Sequence, residues 1–430
     1  MFKPTAIRLI TAMYFAALGL LPVALGFWAY YPLLVEHYPP VYFAYSSVLL
    51  FPADLLTITL LAADAGLRLL TGRPLAPRPA PPTTALLLLA AWAAASAAWS
   101  PEPRLSLYHG LHLGLTASMA LFLADRPEAW AALATGSLGG IGLQVLVAAG
   151  EVLLQTTAFL DPLGLEWPGR FDPSVSGAAV VELPDGSRWL RAYGTFPHPN
   201  LLGIYLVALA AGPMAWTLEG GGRRTWGIIG VGLAAVGLGL TFSRAAWLAF
   251  LIVLGWVLGA GPPAPGRGLL AATAAMGLLA AVLPFGQVLG VRLGIQGPLE
   301  TRSVLERGWL VAQAADLIRT HGPLGLGAGT FPLALRDRLP PGYRAEPAHN
   351  VGVLLLAELG PLGLGLGLAA GLGVLRGLRR TAGADGLALS GALLGLVVLA
   401  MLDHPLWTAA PGHLLVALVL GAWLGQIRKG

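Results

Sequence analysis

The sequence predicts an all-α polytopic membrane protein, and three observations carry that prediction. Of 430 residues, 56% are hydrophobic and only 11% are charged, whereas an ordinary soluble domain carries about 25% charged residues. Mean hydropathy is +0.73. The apolar residues are gathered into runs of span length, a membrane helix needing roughly 20 of them. This composition excludes an ordinary soluble protein, a disordered chain and a nucleic-acid binder, even though the pI is 9.7. The absence of cysteine removes disulfides, thiolate metal sites and thiol chemistry.

About twelve transmembrane helices are expected, at 6–30, 43–66, 85–99, 105–123, 130–157, 198–217, 225–241, 244–260, 268–286, 349–375, 385–402 and 412–427. The third run is short, and only Thr241-Phe242-Ser243-Arg244 separates the pair around 225–260, so eleven or thirteen spans are also compatible with the pattern. The first run follows Lys3 and Arg8 as a signal peptide would. It is longer than a typical signal core and lacks an Ala-x-Ala site, so a retained span is expected.

An even number of spans puts both termini on one side. The connections on that side hold Lys3, Arg8, Arg68, Arg73, Arg78, Arg126, Arg223, Arg224, Arg267, Arg376, Arg379, Arg380, Arg428 and Lys429. The short connections on the other side hold only Arg104 and Arg244. The positive-inside rule then makes both termini cytoplasmic. The chain reads as a single integral membrane domain over 1–430, with a periplasmic loop at 158–197 and a large periplasmic loop at 286–348. The cytoplasmic connections are short, the Pro-rich stretch 74–82 among them, so chemistry is expected on the outer face. The glycines within spans serve close helix packing. They follow no strand, so they are not nucleotide loops.

In the first loop, 176–193 reads as a β-hairpin turning at Pro184-Asp185-Gly186-Ser187. Alternation in its second strand puts Trp189, Arg191 and Tyr193 on one face. An arginine between two rings suits a phosphate with a sugar stacked beside it, and a half-exposed strand face is the plainer alternative. The hairpin runs into GTFPHPN (194–200), where His198 lies at the water boundary and Asn200 can cap the following helix.

In the second loop, 303–321 reads as an amphipathic helix outside the membrane. Ser303 and Glu306 form a capping box, and His321-Gly322-Pro323 is a stop signal. Arg302 and Arg307 at its start suit an anion. A Gly-rich turn (322–331) follows, then Arg336, Arg338, Arg344 and His349-Asn350 at the mouth of the tenth span. A helix N-terminus disfavours positive charge, so a neutral imidazole at His349 can serve as general base. Glu358 lies about 13 Å deeper at 1.5 Å per residue, and Asp54 falls near the middle of the second span. Intramembrane carboxylates default to function, with helix-to-helix hydrogen bonding as the alternative. His109 and His112 share a helix face but lack a nearby acid or cysteine, and no metal site is expected.

RAYGTFPHPNLLG, TFSRAAWL, TRSVLERGWLVAQAADLIRTHGPLGLGAGTF and AHN…ELGPLG, in that order, resemble the O-antigen ligase and polymerase superfamily. His349-Asn350, nine residues, Gly360, two residues and Gly363 are similar to the ligase signature. The resemblance covers about 190–365 together with the twelve-span layout. It implies a membrane glycosyltransferase of the bacterial inner membrane that uses an undecaprenyl-diphosphate-linked glycan and passes it to a lipid, glycan or protein acceptor, with no cofactor and no metal. It assigns His349 as general base and Arg191 and Arg244 to the diphosphate. Arg302, Arg307, Asn350, His198, Asn200, Trp189, Tyr193 and Glu358 become substrate-binding candidates. A polymerase joining lipid-linked repeat units would use the same donor. A secondary transporter is the rival of another class, with Asp54, Glu151 and Glu358 as ion relays.

Overall fold

The structure is a computed structural model, and it describes residues 4–35, 38–75, 77–163, 171–260, 265–294, 298–381 and 383–429. In chain order the helices are α1 (Pro4–Leu25), α2 (Pro52–Thr71), α3 (Pro81–Ala95), α4 (Pro103–Ala124), α5 (Ala129–Leu154), α6 (Pro199–Leu209), α7 (Ala211–Glu219), α8 (Arg224–Leu240), α9 (Arg244–Gly259), α10 (Arg267–Val282), α11 (Gly286–Gly294), α12 (Pro298–His321), α13 (Phe331–Ala334), α14 (Val351–Gly377), α15 (Gly383–Leu402), α16 (Pro405–Thr408) and α17 (Ala410–Lys429). Two small antiparallel ribbons complete the described chain, β1 (Tyr31–Leu34) with β2 (Val48–Leu50) and β3 (Val180–Glu182) with β4 (Arg188–Leu190).

The fold is all-α and polytopic, as expected. Among the described residues nine helices are long and apolar enough to cross a membrane. A helix lies on every expected run. Those outside the nine are α2, which carries Asp54, Asp64 and Arg68, and α8 and α9, of 17 and 16 residues. The second run is corrected at its start. Residues 43–50 form a 3-10 turn and strand β2, and the helix begins only at Pro52. Proline there fixes the first-turn geometry and needs no hydrogen-bond donor. Asp54 therefore sits in the first turn, where its Oδ2 accepts the Phe51 N–H at 3.0 Å, and not at mid-span.

The segment Pro199–Glu219, α6 with α7, is enclosed on all sides by other helices. Around it α15 packs on α9 and α7, α8 on α10 and α7, α17 and α3 on α4, α1 on α5 and α14 on α3. The start of α6 is thus the centre of one end of the bundle. A different end gathers ion pairs: Arg68 to Asp64 (2.5 Å) and Asp125 (2.7 Å), and Arg126 to Asp64 (2.6 Å). These join the ends of α2 and α4 on the side whose connections are rich in arginine.

The hairpin forms with its turn as expected, pairing Val180 with Leu190 and Glu182 with Arg188, but β4 ends at Leu190. Arg191 and Tyr193 lie beyond it, so the alternation that placed Trp189, Arg191 and Tyr193 on one face does not continue. Trp189 packs edge-on to Phe285 (5.6 Å) among Val181, Phe242 and Val291. Tyr193 stacks on Phe171 (4.8 Å) in a separate cluster. The amphipathic helix of the second loop is α12. It stops at His321 as expected but starts at Pro298, so Ser303 lies inside it and cannot cap it. Glu306 instead pairs with Arg302 one turn away (2.7 Å).

α14 is broken at Gly360, whose φ of 66° leaves the helical region. Pro361 follows and brings no N–H, so carbonyls on the preceding turn lose their helical donors. The Gly-rich turn supplies replacements: Leu326 N–H donates to Ala357 O (3.0 Å) and Gly327 N–H to Glu358 O (2.8 Å). The Glu358 carboxylate accepts Gly329 N–H (2.8 Å), Phe331 N–H (3.0 Å) and the Trp407 indole N–H (2.7 Å). Buried at 1% exposure, Glu358 is a strut holding this turn. A Cβ on Gly360 would stand 1.8 Å from Pro323 O, whereas one on Gly365 meets nothing within 4 Å. Gly360→Ala is therefore expected to lower thermal stability in detergent by at least about 1 kcal/mol equivalent, with Gly365→Ala near wild type. Equal melting of the two variants would contradict this reading of the break.

Candidate active site

The centre of the site is built at the start of α6. Pro197 and Pro199 hold the approach extended, and His198, not Asn200, is the helix cap: its Nδ1 accepts the Asn200 N–H at 3.1 Å. This frees the Asn200 side chain. Its Oδ1 accepts from the Arg191 guanidinium (2.8 Å), and its Nδ2 donates to Asp403 Oδ2 (2.7 Å). Arg191 also donates from Nε to Thr241 O (2.9 Å) in the turn before α9. One amide thus links the segment after the hairpin to the turn between α15 and α16.

Arg191 is buried, at 7% exposure. Burial, then the charge of Arg292, lowers its pKa to about 9. Its hydrogen-bonded partners are neutral oxygens, so its charge is poorly compensated and an anion placed beside it would be stabilised. Asp403 is also buried. Burial opposes its ionisation, yet His349, His404 and His198 together with the His404 N–H (2.8 Å) hold its carboxyl down at about 2. Burial raises Glu346 above the usual carboxylate range against the opposing pull of His349 and Arg344.

His349 directly precedes Asn350, the N-cap of α14. Both ends of the Asn350 amide are used structurally: Oδ1 accepts the Val353 N–H and Nδ2 donates to Met401 O (3.0 Å each). The His349 ring stands edge-on to His404, with centroids 5.2 Å apart. Ligand atoms of His349, Asp403 and His404 all lie within 4.8 Å of one another, a set that a divalent cation could use. No metal is expected from the sequence, where His349 lies more than fifty residues before the adjacent Asp403 and His404.

Arg244 begins α9. It pairs with Glu300 (3.0 Å) and donates to Arg292 O (3.2 Å), and Arg292 pairs with Glu300 at 2.5 Å. Glu300, on α12, therefore ties that helix to α11 and to the start of α9.

Two cavities meet here. The larger, about 570 Å³, is lined by Trp28, Tyr45, Tyr108, His109, His112, Asp403, His404 and His413 among others. The smaller, about 180 Å³, is lined by Arg191, Arg244, Arg292, Arg307, Trp309 and Tyr343 among others. His198, Asn200, Arg344, Glu346 and His349 line both. The structure thus brings together Arg191, Arg244, Arg307, His198, Asn200 and His349. Arg302 lies on the outer rim, paired with Glu306 and bonded to Gly342 O, and it lines neither cavity. Trp189, Tyr193, Asn350 and Glu358 also line neither.

Sequence reading missed Arg292, Glu346, Asp403 and His404. A signal existed for the last two: Asp403-His404-Pro405 interrupts the short apolar connection between the last two spans. The carboxylates assigned to an ion relay are engaged within the protein. Asp54 Oδ1 lies 2.9 Å from His112 Nε2, whose ring continues to His413 (2.9 Å), and Glu151 accepts the Tyr193 and Gly194 N–H groups (2.8 Å each).

Fold and site define a polytopic membrane protein whose basic cavity adjoins a histidine-bearing one. Residues 229–368, about a third of the chain, match the family model described as O-antigen ligase, and this supports a relation to the O-antigen ligase/polymerase superfamily. That match includes Arg244, Arg292, Arg307, Arg344, Glu346 and His349. It stops short of Arg191, Asn200, Asp403 and His404, which the fold brings to the same place. A search of curated proteins gives no match. The match supports a function of the O-antigen ligase family, with a lipid-linked glycan and an acceptor as the substrates that such a function implies.

Burial, opposed by Asp403 and reinforced by His349 and Arg307, lowers His404 from 6.5 to about 3. The unfolded chain binds this proton below about pH 6.5, whereas the folded chain does not until about pH 3. Stability from this group is complete above that window and lost as pH falls through it, by at most about 1.4 kcal/mol per pH unit. Melting temperatures of wild type and His404→Gln between pH 7 and 4 should converge as pH falls. Parallel curves would contradict this environment for His404.

Proposed function

We propose that this protein transfers a glycan from an undecaprenyl-diphosphate carrier to an acceptor hydroxyl, as an O-antigen ligase-type enzyme of the bacterial inner membrane. The observation that carries the reading is the position of His349 in the wall common to an arginine-lined cavity and a larger cavity. The arginine cavity suits the donor diphosphate. Fixed guanidinium groups stabilise charge that grows on a leaving diphosphate without reorganising, and Arg191 and Arg244 take this role, with Arg292, Arg307 and Arg344 around them. The larger cavity receives the acceptor.

The acceptor oxygen attacks the anomeric carbon as the bond to the diphosphate oxygen breaks. The bonding pair leaves with the diphosphate, and the acceptor proton passes to the His349 imidazole. Attack from the side opposite the leaving group inverts the anomeric centre. No step in this scheme requires a metal. The cavities open at the end of the bundle away from the arginine-rich connections, which supports a periplasmic site and cytoplasmic termini.

Purified protein with a lipid-diphosphate oligosaccharide should release lipid diphosphate and transfer glycan, with or without EDTA. His349→Ala should lower the rate by about 10²–10⁴-fold and Arg244→Ala by about 10²-fold or more. Turnover unaffected by either substitution would place the site elsewhere, and loss of turnover in EDTA would overturn the metal-free scheme. Product only after addition of a separate acceptor marks a ligase, and a ladder from donor alone marks a polymerase. The cysteine-free chain also permits a clean topology test. A membrane-impermeant maleimide should label Ser187→Cys but not Gly222→Cys in cells with a permeabilised outer membrane, and the reverse pattern would invert the orientation.

A further inference from the structure

His349, Asp403 and His404 meet in an arrangement that the transfer chemistry does not require. They come from the approach to α14 and the turn between α15 and α16, and theirs is the one such three-residue group among the described residues. The His404 ring is already oriented: its Nδ1 is hydrogen-bonded with the Thr408 hydroxyl (2.7 Å), leaving Nε2 3.9 Å from Asp403 Oδ1. A second bond of this kind from the far ring nitrogen is the usual support of a metal-ligating histidine. Asp403 is fixed by Asn200 and by the His404 N–H (2.7 and 2.8 Å), and each of its oxygens retains a free lone pair. His349 Nδ1 is buried with no hydrogen-bond partner. Two imidazoles and a carboxylate beside an open cavity make the three-ligand, one-open-position pattern of zinc.

We propose that His349, Asp403 and His404 form a binding site for a divalent transition metal, with Zn²⁺ the best match, and that filling it silences the enzyme. Ligand atoms lie at about 2.0–2.2 Å from zinc, so the set closes on the ion by modest side-chain rotation. Asp403 supplies negative charge directly, and Glu346, lining the same cavity, supplies more. Bound metal engages a lone pair of His349 and anchors the ring that would receive the acceptor proton. The silencing half rests on the proposed role of His349, whereas the binding half does not.

The test uses full-length protein in detergent, purified with a histidine-free affinity tag. Calorimetric titration with ZnCl₂ should show one ion per chain, reversed by EDTA, and Co²⁺ at the same site should give tetrahedral ligand-field absorption. His404→Ala and Asp403→Asn should each weaken binding by at least about 100-fold, since even outer-shell partners are worth 10–100-fold. Absence of saturable binding to wild type, or binding unchanged in both variants, would overturn the site irrespective of how either variant folds. In the transfer assay, Zn²⁺ at saturation should abolish wild-type turnover and EDTA restore it. Full turnover with the site saturated would overturn silencing alone. Turnover surviving His349→Ala would instead remove the catalytic reading and leave the binding result standing.

Discussion

The side-chain amide of Asn200 is the contact on which the site depends. Arg191 and Asp403 are both buried, and in a low-dielectric interior each charge is costly without a partner. Asn200 offers an oxygen to one and an N–H to the other, so charges of opposite sign are held in one chain of hydrogen bonds without touching. The guanidinium thereby stays available to an anion in the smaller cavity, and the carboxylate stays available to the histidines of the larger one. Were the two in direct contact, each would neutralise the other and neither cavity would be tuned.

This contact is possible because of where α6 lies. Pro199–Glu219 is enclosed by the surrounding helices, so its first residues are presented at the middle of one end of the bundle. The parts that converge on it are held by a second layer of support. Glu151 fixes the backbone at Tyr193 and Gly194, Glu358 fixes the Gly-rich turn beside the break in α14, and Glu300 ties α12 to Arg244 and Arg292. Among the described residues, the buried carboxylates Glu151, Glu300 and Glu358 thus serve as clamps for segments around the site. That explains why acids within apolar runs need not mark an ion path.

Fold class was legible because composition and run length report directly on the bilayer. The hairpin turn was legible from Asp185-Gly186, and the stop of α12 from His321-Gly322-Pro323. Local rules failed where tertiary contacts decide. The capping box at Ser303 was overridden by a helix that starts at Pro298, and the alternation through Tyr193 ended with a strand only three residues long. In the candidate site, Arg244 stood out by its charge-poor turn between two apolar runs, Arg307 and His349 by their places near helix starts, and Arg191 by its place between two aromatic residues. Asp403 and His404 were marked only by a polar break between two apolar runs, and their place in the site arises when the turn after α15 is folded against the start of α6. Glu358 is the converse case: nine residues beyond a histidine it reads as part of a site, and only the broken helix shows the turn that it holds.

The claim that the arginine cavity receives a lipid diphosphate is tested most directly by native mass spectrometry of the detergent-solubilised protein with undecaprenyl diphosphate. One lipid diphosphate per chain is expected on wild type. It should be lost in Arg244→Ala and in Arg191→Gln, and retained in Arg302→Ala, whose side chain lies outside both cavities. Equal retention by all three variants would contradict the assignment of the cavity.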